Sequence, residues 1–134
     1  MRSGHIRPAK ALRDALSKRT VVPYDPAWPG ATQIDSTSQI VIEKNDLDMF
    51  SNPHVPAVLS ALEVTECLVY GVFIDYCVKY AIMGLLRTGR QVSLVTEASA
   101  SISQEAGDAV IREFVAAGGR LIARERINTE TQLQ

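Results

Sequence analysis

From Cys67 onward the chain alternates apolar runs with helically spaced apolar stripes, and that alternation leaves few folds open. "CLVYGVF" (67–73) is nearly all apolar, the composition expected of a strand buried on both faces. Val78, Ala81, Ile82, Leu85 and Leu86 then recur at i, i+3, i+4, i+7 and i+8, one face of a helix, and Gly89 stands where that helix can end. "QVSLVTEA" (91–98) reads as a second strand. Ala106, Ala109, Val110, Phe114 and Ala117 line a second helix running to Gly118–Gly119, and "RLIARERI" (120–127) reads as a closing strand. Strand, helix, strand, helix, strand with short links predicts an α/β chain with a parallel sheet and right-handed crossovers.

Upstream the signals are weaker. "RPAKALRDALSKR" predicts a helix with Pro8 near its first turn and Ala9, Leu12, Ala15 and Leu16 as its stripe. "TVVPYDPAWPGATQID" allows a short strand and then an irregular loop. "SQIVIEK" is a strand candidate ending at Lys44, and Pro53 opens a short helix through "HVPAVLSALEV". "NTETQLQ" (128–134) is a polar tail.

The totals exclude several functions. A chain of 134 residues is one domain with room for a real core. Its net charge of −1 gives no electrostatic reason to expect nucleic acid or an acidic membrane surface as partner. No run of about 18 apolar residues and no signal-peptide core occurs, so the expectation is a cytoplasmic protein. The two cysteines, Cys67 and Cys77, flank a strand candidate that would hold them about 20 Å apart, too far for a disulfide.

Cys77 follows the carboxyl end of the 67–73 strand, at the start of the next helix. Ligands of open parallel sheets sit beyond that end of the strands. Unpaired amides and the helix dipole stabilise an anion there, and a thiolate is such an anion. Asp75 is placed to cap the helix, and Lys44, at the end of another parallel strand, should face the same crevice. Spacing alone leaves the bland readings open: Cys77 as a small core residue and Lys44 as a solvated surface lysine.

A resemblance decides between them. "YGVFIDYCVKYAIMGLLRTGRQVSLVTEASA" resembles the isochorismatase-like cysteine hydrolases, which include nicotinamidases. "VIEKNDLDMFSNPHVPAVLSAL" is similar to the block carrying that family's lysine, and "PGATQI" to the turn preceding it. The resemblance covers residues 29–122 of a single domain spanning 1–134, with 1–28 atypical. It implies a three-layer fold, a mostly parallel sheet with helices on both faces. It implies Cys77 as a nucleophile forming an acyl intermediate with a small amide, and Lys44 as the electropositive partner. The backbone amides of Phe73 and Cys77 would form the oxyanion hole, with a cis peptide at Val72–Phe73 aiming the first. Phe50 and Tyr76 would line the substrate pocket, with no cofactor. Because the isochorismate-cleaving branch uses no cysteine nucleophile, Cys77 points to C–N hydrolysis. A redox role ranks lower, since Cys67 is too far to resolve an oxidised Cys77.

The sequence also departs from that family. Its general base is an aspartate ending a first strand near the N-terminus, and no such segment occurs here, so either the domain is N-terminally trimmed or its start is not the ancestral one. Asp25, Asp46, Asp48 and Asp75 are each poorly placed to replace it. Metal-binding members carry histidine clusters, whereas His5 and His54 have no ligand spacing, so no metal is expected. The runner-up function is a catalytically silent member acting through association. Either way the exposed surface left by a missing strand favours a homo-oligomer.

Overall fold

The computed structural model describes residues 19–30, 34 and 39–127, so the expected N-terminal helix and the polar tail lie outside the described residues. The elements are β1 (Thr20–Val22), β2 (Ile40–Ile42), a single 3₁₀ turn (Met49–Ser51) and α1 (Val55–Ala61). They are followed by β3 (Glu66–Val72), a wide π-type turn (Ile74–Val78), α2 (Lys79–Arg87), β4 (Gln91–Ala100), α3 (Gln104–Ala116) and β5 (Arg120–Ile122). Every strand pair is parallel. The α/β class is therefore the one that the alternation of periods predicts.

The strands divide between two sheets, β1 with β2 and β3-β4-β5 in that order. From Val69 to Gly71 β3 advances by two residues while β4 advances by five, from Leu94 to Ser99, so β4 bulges there. Ser99 holds the bulge: its hydroxyl donates to the Val95 carbonyl at 2.8 Å and accepts from the Gly71 amide at 3.2 Å.

One buried cluster draws on all three helices, with Val55 and Leu59 of α1, Ile82 and Leu85 of α2, and Val110 and Phe114 of α3 packed against Val92 and Leu94 of β4. Val58 of α1 instead joins Val22 of β1 in a second cluster with Ile40, Ile42 and Trp28, so α1 ties the small sheet to the main core. The helices end where the glycines allow. Gly89 and Gly118 take φ of 84° and 102°, a left-handed conformation that side chains disfavour.

Asn52 was not singled out from the sequence, yet it is fully buried. Its side-chain amide donates to the carbonyls of Val22 (3.3 Å), Pro23 (3.2 Å) and Glu43 (2.8 Å), and its oxygen accepts from the His54 amide at 2.9 Å. One side chain thus knits the ends of β1 and β2 to the start of α1. Asn52→Ala should lower the unfolding free energy by about 2–3 kcal/mol, the cost of leaving buried acceptors without donors. Urea denaturation would read this, and a loss below about 0.5 kcal/mol would mean water replaces the amide.

Three expectations need correction. The closing strand stops at Ile122, and residues 124–127 form a helical turn. Pro53 precedes α1 rather than opening it; His54 is the N-cap and Pro56 lies in the first turn. β3 is not buried on both faces, because its side chains alternate between half-buried and exposed. A strand's own apolar run does not encode what packs on each of its faces; among the described residues β3 pairs only with β4.

Candidate active site

The site grows from the junction of β3 and α2. The strand ends at Val72, the Val72–Phe73 peptide bond is cis, and the chain turns through Ile74–Val78 before α2 begins. Ile74 and Val78 are buried and anchor this turn in the core, while the Phe73 carbonyl accepts from the amides of Tyr76 (3.0 Å) and Val78 (3.2 Å). Cys77 therefore sits in the turn before the helix rather than in its first regular turn. Its thiol is half-buried and donates to the Val72 carbonyl at 3.2 Å.

Asp75 does not cap its own helix, whose preceding turn has Phe73 at the N-cap position. Its carboxylate reaches across to accept from the amides of Ile102 and Ser103, both at 3.0 Å, just ahead of α3. Ser103 then caps α3 by accepting from the Ala106 amide at 3.2 Å. Asp75 is thus a clamp between the Cys77 turn and α3. Desolvation pushes its carboxyl up, but the amides of Ser103, Ile102 and Asp75 itself outweigh this and hold it below its ordinary value. A depressed carboxyl contributes stability that is present above its unfolded value of about 3.9 and is lost as pH falls through the folded value. Asp75→Asn should accordingly unfold at lower temperature than the parent near neutral pH, with the gap closing below about pH 4. Melting curves across pH 3–7 test this, and a gap independent of pH would reject the carboxylate clamp.

The second cysteine differs in kind. Cys67 packs at the edge of the main core, and burial pushes its thiol up, with Arg90 opposing and Glu66 reinforcing that shift. It reads as a packing residue.

Lys44 lies two residues past the end of β2, and its ammonium donates to the Leu47 carbonyl at 2.8 Å within its own loop. The expected strand end at Lys44 is corrected: the strand stops at Ile42, and Lys44 follows in the loop after it. Phe50 packs so closely on α2 that a Cβ on Gly84 would lie 2.5 Å from its ring. Tyr76 is exposed beside Cys77. The structure thus brings Val72, Phe73, Tyr76 and Cys77 into one turn.

The candidate substitutes for a base have other tasks. Asp25 accepts from the Ala27 amide, Asp46 from Leu47, Asp48 from Phe50, and Asp75 from Ile102 and Ser103. His54 packs edge-on to Trp28 with centroids 5.1 Å apart, and its Nε2 bonds to the Asp25 carbonyl. Among the described residues no group of three His, Cys, Asp or Glu side chains could hold a metal, and His54 is already committed, so these residues do not fit one. No helix among them is long and apolar enough to cross a membrane.

The fold is thus an α/β chain with a thiol in the turn between a parallel strand and the helix that follows. The isochorismatase domain model matches residues 11–126, and the chain belongs to that family. No curated protein matches it. Among solved structures it is similar to the nicotinamidase of Staphylococcus aureus, with TM-score 0.59 and 22% identity over 63% of this chain and 55% of that one. The pyrazinamidase/nicotinamidase of Streptococcus mutans superimposes at TM-score 0.59 and 25% identity, over 66% and 49% of the two chains. YcaC of Pseudomonas aeruginosa, solved with hexane-2,5-diol and covalent acrylamide, gives 0.58 and 22%, over 78% and 54%. The chain spans about half the length of these structures.

Proposed function

We propose that this chain is a cysteine hydrolase of a small carboxamide, nicotinamidase-like in chemistry. The observation that carries the reading is the position of Cys77, with its thiol 3.2 Å from the Val72 carbonyl in the turn that links β3 to α2. As a thiolate its sulfur attacks the amide carbon, and the carbonyl electrons move onto oxygen. The amides of Phe73 and Cys77 hold that oxyanion. Collapse expels ammonia, which takes from solvent the proton that the thiol gave up on becoming a thiolate, and water then cleaves the thioester to the acid and the free thiol. Lys44 is the electropositive partner in this reading, Tyr76 flanks the substrate, and Phe50 supports the pocket from its seat on Gly84. The mechanism uses no metal or cofactor. The setting is cytoplasmic.

The alternative is a silent member acting through association. It is favoured by the engagement of Asp25, Asp46, Asp48 and Asp75 in bonds to backbone amides, which gives each of these four a structural task. The separating experiment follows ammonia release from nicotinamide, pyrazinamide and aliphatic amides, alongside iodoacetamide labelling of both cysteines. Amide turnover with preferential labelling of Cys77 supports the hydrolase. No turnover, with both thiols labelling slowly, supports the silent reading.

A further inference from the structure

The Cys77 turn is anchored in the core only at its ends. Ile74 and Val78 are buried, whereas Tyr76 is exposed and Cys77 half-buried between them. Tyr76 has φ −126° and ψ −110°, far from helical values, so the regular backbone of α2 does not continue back to the residue before Cys77. A contact from another element sets the course of residues 75–77, and Asp75 makes it. One carboxylate oxygen accepts from the Ile102 amide and the other from the Ser103 amide, each at 3.0 Å, in the segment that leads into α3. Charge-assisted bonds of this kind are stronger than neutral ones, and the dipole of a 13-residue helix adds to the attraction at its amino end. α3 is itself fixed to the sheet through buried Val110 and Phe114, so the clamp ties the turn to a firmly packed element.

We propose that Asp75 is the positioning residue of Cys77. Its two bonds hold the turn in the course that seats the thiol against the Val72 carbonyl, at the end of β3. A single residue, Tyr76, separates Asp75 from Cys77, so loss of the clamp passes almost directly to the sulfur. The effect on turnover rests on the hydrolase reading above: attack requires the sulfur aligned with the amide carbon, and a misplacement of about 1 Å can cost about 10²-fold in rate. Released from the clamp, the thiol is less well aimed and also more open, because its bond to the Val72 carbonyl and its partial burial both depend on the course of the turn. Slower turnover together with faster alkylation is the signature of a positioning residue. A residue that only stabilises the fold changes neither in the folded protein.

The test compares the full-length parent with Asp75→Ala, Asp75→Asn and Ser103→Ala, at a temperature where melting curves show each to be folded. Asp75→Ala should lower kcat at least about tenfold with KM within about twofold. Near neutral pH, iodoacetamide should label its Cys77 at least about threefold faster than in the parent, with Cys67 of the same molecules as the unchanged reference. Asp75→Asn, whose one oxygen can accept from only one of the amides, should fall between the two, and it decides the test if the alanine variant does not fold. Ser103→Ala removes the α3 cap but keeps the Ser103 amide, so it should melt earlier and leave kcat and Cys77 labelling unchanged. Parental kcat in the folded Asp75 variants, or Cys77 labelling no faster than in the parent, overturns the proposal. So does a Ser103→Ala variant that loses as much turnover as Asp75→Ala. If the parent releases no ammonia from any amide, the hydrolase reading fails instead, and Cys77 labelling alone decides the clamp: faster in the Asp75 variants supports it, and no faster overturns it.

Discussion

On the proposed cysteine mechanism, Cys77→Ala should abolish amide turnover, with kcat falling by at least about 10³-fold, because the attacking atom is removed. Stability should hardly change. Cys77 is half-buried at the margin of the core, so the change removes one sulfur atom and its bond to the Val72 carbonyl. Turnover assays and melting curves on the same preparations separate chemistry from folding. Cys67→Ala is the internal control: Cys67 packs against the same core but lies ten residues earlier, near the start of β3, so it should cost some stability and leave kcat in place. Turnover that survives in Cys77→Ala would place the nucleophile elsewhere and end the cysteine mechanism.

The largest effect on folding is expected from Phe114→Ala, at about 3–5 kcal/mol. Phe114 is fully buried, and its ring closes the core between α3 and the sheet. A Cβ on Gly119 would lie 2.3 Å from that ring, so the chain can turn into β5 only because glycine lets the backbone lie flat on it. The Gly119 amide also donates to the Phe114 carbonyl at 2.9 Å, which joins the end of the helix to the start of the strand. Truncation would leave a cavity that two glycines and a short strand are poorly placed to fill. Denaturant unfolding should show a large fall in midpoint with an unchanged slope. Val115→Ala, at an exposed position of the same helix, should be nearly neutral. Comparable losses in the two variants would mean that helix propensity rather than burial governs this segment.

Much of the fold and part of the site are legible in residue order. The stripes at Val78–Leu86 and Ala106–Ala117 place α2 and α3 to within a few residues, because a helix face is written in spacings of three and four. Gly89 and Gly118 mark the ends of those helices because only their backbones accept positive φ at little cost. The strand-to-helix junction at Cys77 follows from the same switch of period. Lys44 is different. Its strand was recognisable, but its ammonium bonds to a carbonyl three residues away, and nothing in a solvated charge announces such a contact.

The sequence by itself thus determined the α/β class, the parallel direction of the strands and the place of Cys77 beyond a strand end, since each depends on neighbours a few positions apart. Tertiary structure alone decided that Asp75 clamps amides 27 and 28 residues away, that Asn52 binds a carbonyl 30 residues upstream, and that β3 leaves one face open. Those outcomes depend on which groups the folded chain brings within hydrogen-bonding distance and which it leaves to water. Local periodicity carries no record of contacts made over such separations.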